Sequence, residues 1–289
     1  AESMNMVRLV WAMAVFVGVG VAQAQTPQDD WTDVTRDEVD TALLSPMGHR
    51  LLDDPRFKWL HAHTEHFVIH YERKMFAAKV ARQAEFFYGF IAKDLTSATD
   101  QMNGRSHIFI FRDEKDWKHF IQTYEVSIEW AFSMVNGMVM YLQQADSTGD
   151  SASVLGHEMT HLVFNRFYPG RIPVWLNEGT AEWYGEFAYS AFKGIKKSKR
   201  QVFRRIPTVY PVESLLGMTT YPADPRAVRA FYDTSKFLVG FLQLNYPPEK
   251  FEPFLADMSK GMPVEPALAQ HYGVVSLSEF AKAFEKFVR

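Results

Sequence analysis

The segment GHEMTHLVF, residues 156 to 164, limits the possible folds most strongly, because it places two histidines four residues apart with a glutamate after the first. A helix turns about 100° per residue, so His157 and His161 lie on one face, where two imidazole nitrogens can converge on one metal ion. Glu158 is rotated away from that line, as a general base beside a metal-bound water should be. Flanking apolar residues would hold this helix in a core: Val154, Leu155, Leu162 and Val163. The competing interpretation is a core helix that carries two histidines by chance. A third candidate ligand elsewhere in the sequence is needed to distinguish it from a metal site.

Glu178 is the candidate for that further ligand. The chain contains no cysteine, which excludes disulfides, thiolate ligands and a cysteine nucleophile, so a metal must be held by His, Asp or Glu. Sixteen residues lie between His161 and Glu178, whose segment, PVWLNEGTAEW, has the pattern of a short loop and then a buried helix from about 176 to 188. Two histidines, one carboxylate and one open position form a standard site for catalytic zinc. Glu182 lies on the same helix face as Glu178 and can accept a hydrogen bond from a ligating imidazole.

These segments, HExxH followed by WLNEGTAEW, resemble the gluzincin metallopeptidases, the group that includes the thermolysin-like enzymes and the zinc aminopeptidases. More narrowly, EHFVIHY, the FYDTSKFLVGFL helix (231 to 242) and the C-terminal helices are similar to the bacterial peptidase MA-like family. The similarity covers roughly residues 60 to 289. It implies one zinc ion per chain with three ligands: His157, His161 and Glu178. It also implies that Glu158 is the general base, that Glu182 steadies the first histidine and that Asn177 steadies the second.

The resemblance extends to substrate contacts. In gluzincins the strand before the zinc helix forms the edge of the cleft and pairs with an extended substrate. That role falls here on five consecutive residues: Gly137, Met138, Val139, Met140 and Tyr141. Tyr232, in RAFYDTSKF, matches the position of an oxyanion donor, although a core aromatic is the competing interpretation and His271 an alternative donor. Arg226 and Arg229 either meet a substrate carboxylate or are simply solvated.

Hydrophobic periodicity predicts an α+β protein. The expected architecture is zincin-like: a small mixed β-sheet with helices in residues 61–190, an all-helical half in 191–289, and an active-site cleft between them. The predicted strands are 66–71, 107–111 and 137–142. The predicted helices besides those of the metal site are 75–98, 113–124, 226–245, 248–259, 263–271 and 276–288.

The N-terminus has the features of an export signal. Arg8 precedes an apolar run that ends in Ala22-Gln23-Ala24, a small-x-small cleavage pattern, so we expect a signal peptide over 1–24 that is cleaved after Ala24. An uncleaved membrane anchor is the alternative. Residues 25–60 read as an extension that packs only partly. The mature protein is therefore expected in the periplasm or outside the cell, without stable membrane insertion.

Charge gives little further guidance. A formal net charge of -3 provides no reason to expect a nucleic-acid partner. The basic run 193–205 is either a solvated cover or an attractor for an acidic substrate or anionic lipid head groups. Four histidines around the first predicted strand are expected to form a solvated strand edge rather than a second metal site: His61, His63, His66 and His70.

The function expected from the sequence is an exported zinc metallopeptidase that acts on a peptide or protein substrate. Endopeptidase action is favoured, because zinc aminopeptidases carry a Gly-x-Met-x-Asn segment and NGMVMYL lacks its final Asn. Two alternatives stay open: a non-catalytic zinc- or peptide-binding envelope module, and a zinc amidase acting on cell-wall peptides. The oligomeric state is also left open.

Overall fold

The computed structural model describes residues 31–100, 102–126, 132–144, 151–202 and 204–289, without the side chains of Ser151 and Val202. The predicted signal peptide and residues 145–150 lie outside this part of the chain. Within the described ranges, no helix has the length and apolar character needed to cross a bilayer.

One six-stranded mixed sheet forms the first half. Its strands are β1 (Thr32–Val34), β2 (Leu60–His63), β3 (Phe67–Tyr71), β4 (Ser106–Phe111), β5 (Ser133–Asn136) and β6 (Val139–Gln143). They are arranged in the order β1-β2-β3-β4-β6-β5. The three inner strands β3, β4 and β6 are parallel, and the remaining pairings are antiparallel.

Beyond the sheet, the regular structure described consists of eleven α-helices and of two short 3-10 helices, Arg36–Glu38 and Pro248–Lys250. The α-helices are α1 (Pro46–Leu52), α2 (Lys74–Leu95), α3 (Glu114–Thr123), α4 (Ser151–Phe167), α5 (Val174–Phe192), α6 (Lys199–Val202), α7 (Val212–Leu216), α8 (Pro225–Asn245), α9 (Phe251–Ser259), α10 (Val264–Tyr272) and α11 (Leu277–Val288). The predicted α+β class, with a small mixed sheet followed by a helical half, is confirmed. The boundary drawn at 190 falls inside α5, and the short helices α1, α6 and α7 were not predicted.

The two faces of the sheet bury different cores. On β3, the side chains of Phe67, Ile69 and Tyr71 join the larger core with α2, α4, α5 and α8. Val68 lies on the other face, in a smaller core with α1 and α3. This alternation follows from the two-residue period of a strand and places α4 and α5 on one side of the sheet.

The described residues 31–60 are mostly exposed or half-buried, but some of them pack against the sheet. β1 pairs with β2 at the edge of the sheet, and Leu51, Leu52 and Phe57 are buried in the smaller core. The sequence is rich in Asp and Thr there, but its few apolar residues are spaced so that α1 covers the sheet.

The prediction of a solvated histidine edge is wrong for His61 and His70, which are 6% and 0% exposed. The reason is that β3 lies inside the sheet between β2 and β4. His61 Nδ1 is 2.9 Å from His70 Nδ1, and His70 Nε2 is 2.9 Å from Nδ1 of the buried His107 on β4. The three rings thus form a hydrogen-bonded chain across the sheet.

The assignment of residues 137–141 to a cleft edge is also wrong. Val139, Met140 and Tyr141 lie on β6, which is paired with β4 on one side and with β5 on the other. Gly137, with a φ of 60°, and Met138 form a two-residue turn that folds β5 back onto β6. Within the described residues, β5 is therefore the terminal strand on this side of the sheet.

Candidate metal centre

Helices α4 and α5 approach each other closely at a pair of glycines. Gly156 on α4 faces Gly185 on α5, and a Cβ atom added at Gly185 would lie 3.0 Å from the backbone nitrogen of His157. A side chain at either position would push the helices apart. This crossing places His157 beside α5, the helix that carries Glu178.

Another side of α5 lies even closer to α8. A Cβ atom added at Gly179 would lie 2.3 Å from the carbonyl oxygen of Ser235. Glu178, the preceding residue, is only 4% exposed. The position of this carboxylate is thus fixed by two close helix contacts, on two different sides of α5.

Three side-chain atoms converge at the α4–α5 crossing. His157 Nε2 lies 3.1 Å from His161 Nε2 and 3.4 Å from Glu178 Oε2, and His161 Nε2 lies 3.6 Å from the same oxygen. Ligand atoms bound at 2.0 to 2.2 Å around a tetrahedral zinc ion are about 3.3 to 3.6 Å apart. The side chains that the sequence indicates as ligands therefore have nearly the spacing that one zinc ion requires.

The second nitrogen of each imidazole is held by α5. His157 Nδ1 is 3.2 Å from Glu182 Oε1, and His161 Nδ1 is 3.1 Å from Asn177 Oδ1. Carboxylate and amide oxygens only accept hydrogen bonds, so both Nδ1 atoms carry the proton. In neutral rings, both Nε2 lone pairs then point at each other and at the carboxylate of Glu178. These three electron-rich groups repel one another, and a cation bound between them would attract all three.

The charges at the site are strongly coupled. Burial acts to lower the pKa of His157, but hydrogen bonds to Glu178 and Glu182 outweigh it and raise this pKa to about 10. For His161 burial acts the same way, and the charge of Glu178 overcomes it and raises the pKa. Burial favours protonation of Glu178, yet the two imidazoles hold its pKa well below the usual range. The buried carboxylate thus stays ionised and is balanced by positive charge, either ring protons or a bound cation.

Glu158 projects from α4 towards the terminal strand of the sheet. Ser133 Oγ on β5 donates a hydrogen bond of 2.8 Å to Glu158 Oε1. A second contact ties α4 to the β5–β6 turn, where Asn165 Nδ2 donates to the carbonyl oxygen of Gly137 at 2.7 Å. Glu158 is therefore a buried acceptor located between the candidate metal ligands and the strand edge. Ser133 is a site residue that was not predicted, because its strand β5 was not predicted.

Tyr221 is a further site residue that sequence reasoning missed. Its hydroxyl donates to Glu178 Oε1 at 2.6 Å, the oxygen that the imidazoles do not contact. Burial and the charge of Glu178 raise the pKa of Tyr221, so the phenol stays protonated. It lies in the irregular segment before α8, where no periodicity points to a site. The one local signal in the sequence is the following Pro222, which favours a turn but does not indicate a site.

Tyr232, the donor expected from the resemblance, lies close to the same site. Its ring centroid is 6.5 Å from that of Tyr221. Burial and then the charges of Glu178, Glu182 and Glu158 raise its pKa. The structure therefore brings two neutral phenols to the candidate metal centre, one hydrogen-bonded to the candidate ligand Glu178 and one within electrostatic range of it.

The remaining candidates are engaged elsewhere. Arg226 pairs with Asp224 at 2.9 Å, and His271 pairs with Asp257 at 2.9 Å. Arg229 pairs with Asp233 at 2.8 Å, and that bond, with a smaller contribution from the charge of Glu182, raises its pKa.

A second group of potential ligand atoms comes from Glu65, His66 and Glu85. His66 Nδ1 pairs with Glu85 Oε2 at 2.6 Å, while Glu65 is 68% exposed and 3.9 Å away. The imidazole is satisfied by one carboxylate, and we assign no metal there.

Comparison of the chain with models of known protein families and with curated proteins gives no match.

Proposed function

We propose that this chain is a zinc-dependent metallopeptidase with a zincin-like fold of the gluzincin type. One observation carries the proposal: His157 Nε2, His161 Nε2 and Glu178 Oε2 lie 3.1 to 3.6 Å from one another while both Nδ1 atoms are held by acceptors. The donor set fits zinc, because two imidazoles and one carboxylate leave a position open for chemistry. A purely structural site has no need for an additional buried carboxylate such as Glu158.

Glu158 acts as the proton carrier in this proposal. When bound, a zinc ion would polarise the scissile carbonyl and lower the pKa of a water molecule towards ~7. Glu158 takes the proton of the attacking water and passes it to the leaving amine. The hydrogen bond from Ser133 leaves its second carboxylate oxygen for this task and fixes the orientation of the side chain.

Substrate pairing is proposed for β5 in place of residues 137–141. An extended peptide that adds to Ser133–Asn136 would form main-chain hydrogen bonds, which read the backbone more than the side chains. Ser133 belongs to this strand and also contacts Glu158, so a peptide bond held against β5 is placed beside the base. Pairing with β5 does not require a free end of the substrate chain, so it fits endopeptidase action on peptides or proteins.

The proposed location follows from the first 24 residues. The apolar run and Ala22-Gln23-Ala24 support export and cleavage after Ala24, so we propose that the peptidase acts in the periplasm or outside the cell.

The test combines metal content with hydrolysis of an unfolded protein. The purified chain is expected to hold one zinc ion and to lose activity with a chelator. Glu158→Gln should retain zinc but lower turnover by about 10²- to 10⁴-fold, since the amide cannot accept the proton. His157→Ala should lose zinc and activity together.

Three results would contradict the proposal. A metal-free protein that keeps full activity excludes zinc catalysis, and equal activity of wild type and Glu158→Gln excludes the base. A zinc-loaded wild type that cleaves neither proteins nor cell-wall peptides points to a binding module. Cleavage of cell-wall peptides alone points to the amidase.

A further inference from the structure

The outer side of α2 carries a line of residues that are all basic or apolar. At spacings of three and four, which keep side chains on one helix face, this line comprises Met75, Lys79, Arg82, Phe86, Phe90 and Lys93. The acidic residues of α2 are held away from it: Glu85 contacts His66, and Asp94 contacts Lys199 and Tyr184. The line runs about 27 Å along the helix at 1.5 Å per residue.

The turn after α5 extends this line. Phe90 lines a shallow hollow of about 340 Å³ together with Ile195, Lys196 and Lys197. The ring of Phe86 contacts that of Phe192 at the end of α5, with centroids 5.4 Å apart. Helix α2 and residues 193–197 therefore form one continuous surface, which we call the basic-apolar face.

Several cations of the basic run 193–205 pair with acidic residues elsewhere in the protein, whereas Lys196 forms no ion pair with any described residue. Lys199 pairs with Asp94 at 2.5 Å, and Arg204 with Glu186 at 3.6 Å. Lys79, Lys93 and Lys196 are exposed and form no ion pair with any residue that the structure describes. In a chain with a net charge of -3, positive charge is thus concentrated on the basic-apolar face.

Apolar side chains on the same face are unusually exposed. Met75 is 91% exposed, Ile195 50% and Phe86 37%, and these are three of the few large apolar residues that the described structure leaves in water. An acidic peptide would satisfy the lysines but would leave these side chains in water. The interface of an anionic bilayer offers phosphates to the lysines and an apolar layer to the side chains between them.

We propose that the basic-apolar face binds the surface of a bilayer that contains anionic phospholipids. Phe86, Ile195 and Met75 enter the interfacial layer, and the lysine stems lie along it with their ammonium groups at the phosphates. The attachment is peripheral and reversible, and it holds the molecule at a membrane independently of the metal centre.

Binding of the full chain to vesicles tests this proposal. Vesicles of phosphatidylcholine mixed with phosphatidylglycerol should retain the protein at low salt, and vesicles of phosphatidylcholine alone should not. Each lysine near an anionic surface raises partitioning about fivefold, so Lys93→Gln/Lys196→Gln should lower it about 30-fold. The matched control Lys282→Gln/Lys286→Gln removes the same charge from exposed positions on α11 and should bind like wild type.

The apolar contribution has its own pair of variants. Met75→Ser/Ile195→Ser should weaken binding about tenfold, whereas Val275→Ser, at a residue that is 96% exposed on another surface, should have no effect. All seven substituted positions, four lysines and three apolar residues, are exposed, so none of these variants should change the melting temperature.

Three outcomes would overturn the proposal. One is the absence of binding to phosphatidylglycerol vesicles at low salt. Another is an equal loss in the two lysine variants, which would show that net charge alone drives binding. The third is capture of an acidic peptide such as polyglutamate without vesicle binding, which would assign the face to an acidic protein.

Discussion

Glu182 contacts the nitrogen of His157 that a metal would leave free, and it is the acceptor that fixes the orientation of this ring. We expect Glu182→Ala to weaken zinc affinity by about 10- to 100-fold, because an acceptor at Nδ1 orients the imidazole and raises its basicity. Competition with a chromogenic chelator measures this. Glu265→Ala, at an exposed residue of α10, is the control, and equal zinc affinity of both variants would refute the role.

The two phenols should have separable effects. Tyr221 donates to the free oxygen of Glu178, so Tyr221→Phe should weaken zinc affinity. Tyr232 is the proposed oxyanion donor, so Tyr232→Phe should lower kcat by about 10²- to 10³-fold with zinc affinity unchanged. Kinetics at saturating zinc, together with zinc titration, distinguishes the two. If only Tyr221→Phe lowered kcat, Tyr221 and not Tyr232 would be the oxyanion donor.

At the scale of residues, the sequence predicts what depends on local spacing. His157 and His161 are one helical turn apart, and so are Glu178 and Glu182. This spacing is visible in the sequence, so these site residues could be predicted from it. Ser133 and Tyr221 reach the site through tertiary contacts from an unpredicted strand and an irregular segment. No periodicity links such residues to the motif, and only the folded structure brings them there.

At the scale of elements, the helices were easier to predict than the strands. Several helices begin at side-chain caps: Asp113 for α3, Asp224 for α8 and Ser276 for α11. These signals are local. β1, β2 and β5 have only three or four residues each, too few for a clear alternation of apolar and polar residues, and none of them was predicted. Asn136-Gly137 between apolar runs is the one local hairpin signal that was available.

The contact between α5 and α8 leads to a prediction about Gly179. In Gly179→Ala the new methyl group would meet the carbonyl oxygen of Ser235, so the helices must separate. We expect a loss of about 1 to 3 kcal/mol in unfolding free energy, and weaker zinc binding because Glu178 moves with α5. Chemical denaturation and zinc titration measure the two effects.

Gly89→Ala in α2 is the matched control. A Cβ atom at Gly89 has no neighbour within 4 Å, so this variant should be stabilised by up to about 1 kcal/mol through helix propensity alone. If Gly179→Ala were as stable as Gly89→Ala, the close approach of α5 and α8 would be wrong.

At the scale of the whole molecule, the buried histidine chain makes the sheet sensitive to acid. Burial lowers the pKa of His61 and of His107 to about 4, and that of His70 well below its usual range. Nearby charges add smaller effects, and these come from Arg36, Asp40, His49 and His63. The folded state therefore keeps these rings neutral at a pH where the unfolded chain protonates them.

The sign of the pH dependence follows from the proton balance. Between pH 6.5 and 4 the unfolded chain binds more protons than the folded one, so the unfolding free energy should fall as the pH falls. From pH 7 to 5 the loss should be about 2 kcal/mol for each of His61 and His107. Denaturant titrations of the metal-free protein measure this without a contribution from zinc release.

His70→Phe should lower stability at neutral pH but flatten its dependence on pH, since one titrating ring is lost. A stability that stays constant from pH 7 to 5 in the wild type would show that the histidines are not buried in neutral form.

The arrangement of α4 and α5 also sets an order of assembly. All three proposed metal ligands lie between positions 157 and 178, on two consecutive helices, so the loop that must close to bring them together is short and costs little entropy. Tyr221 and Tyr232 belong to later parts of the chain and arrive only when α8 docks on α5. On the proposed function, a refolding chain should bind zinc first and become active only afterwards, in two separate kinetic phases.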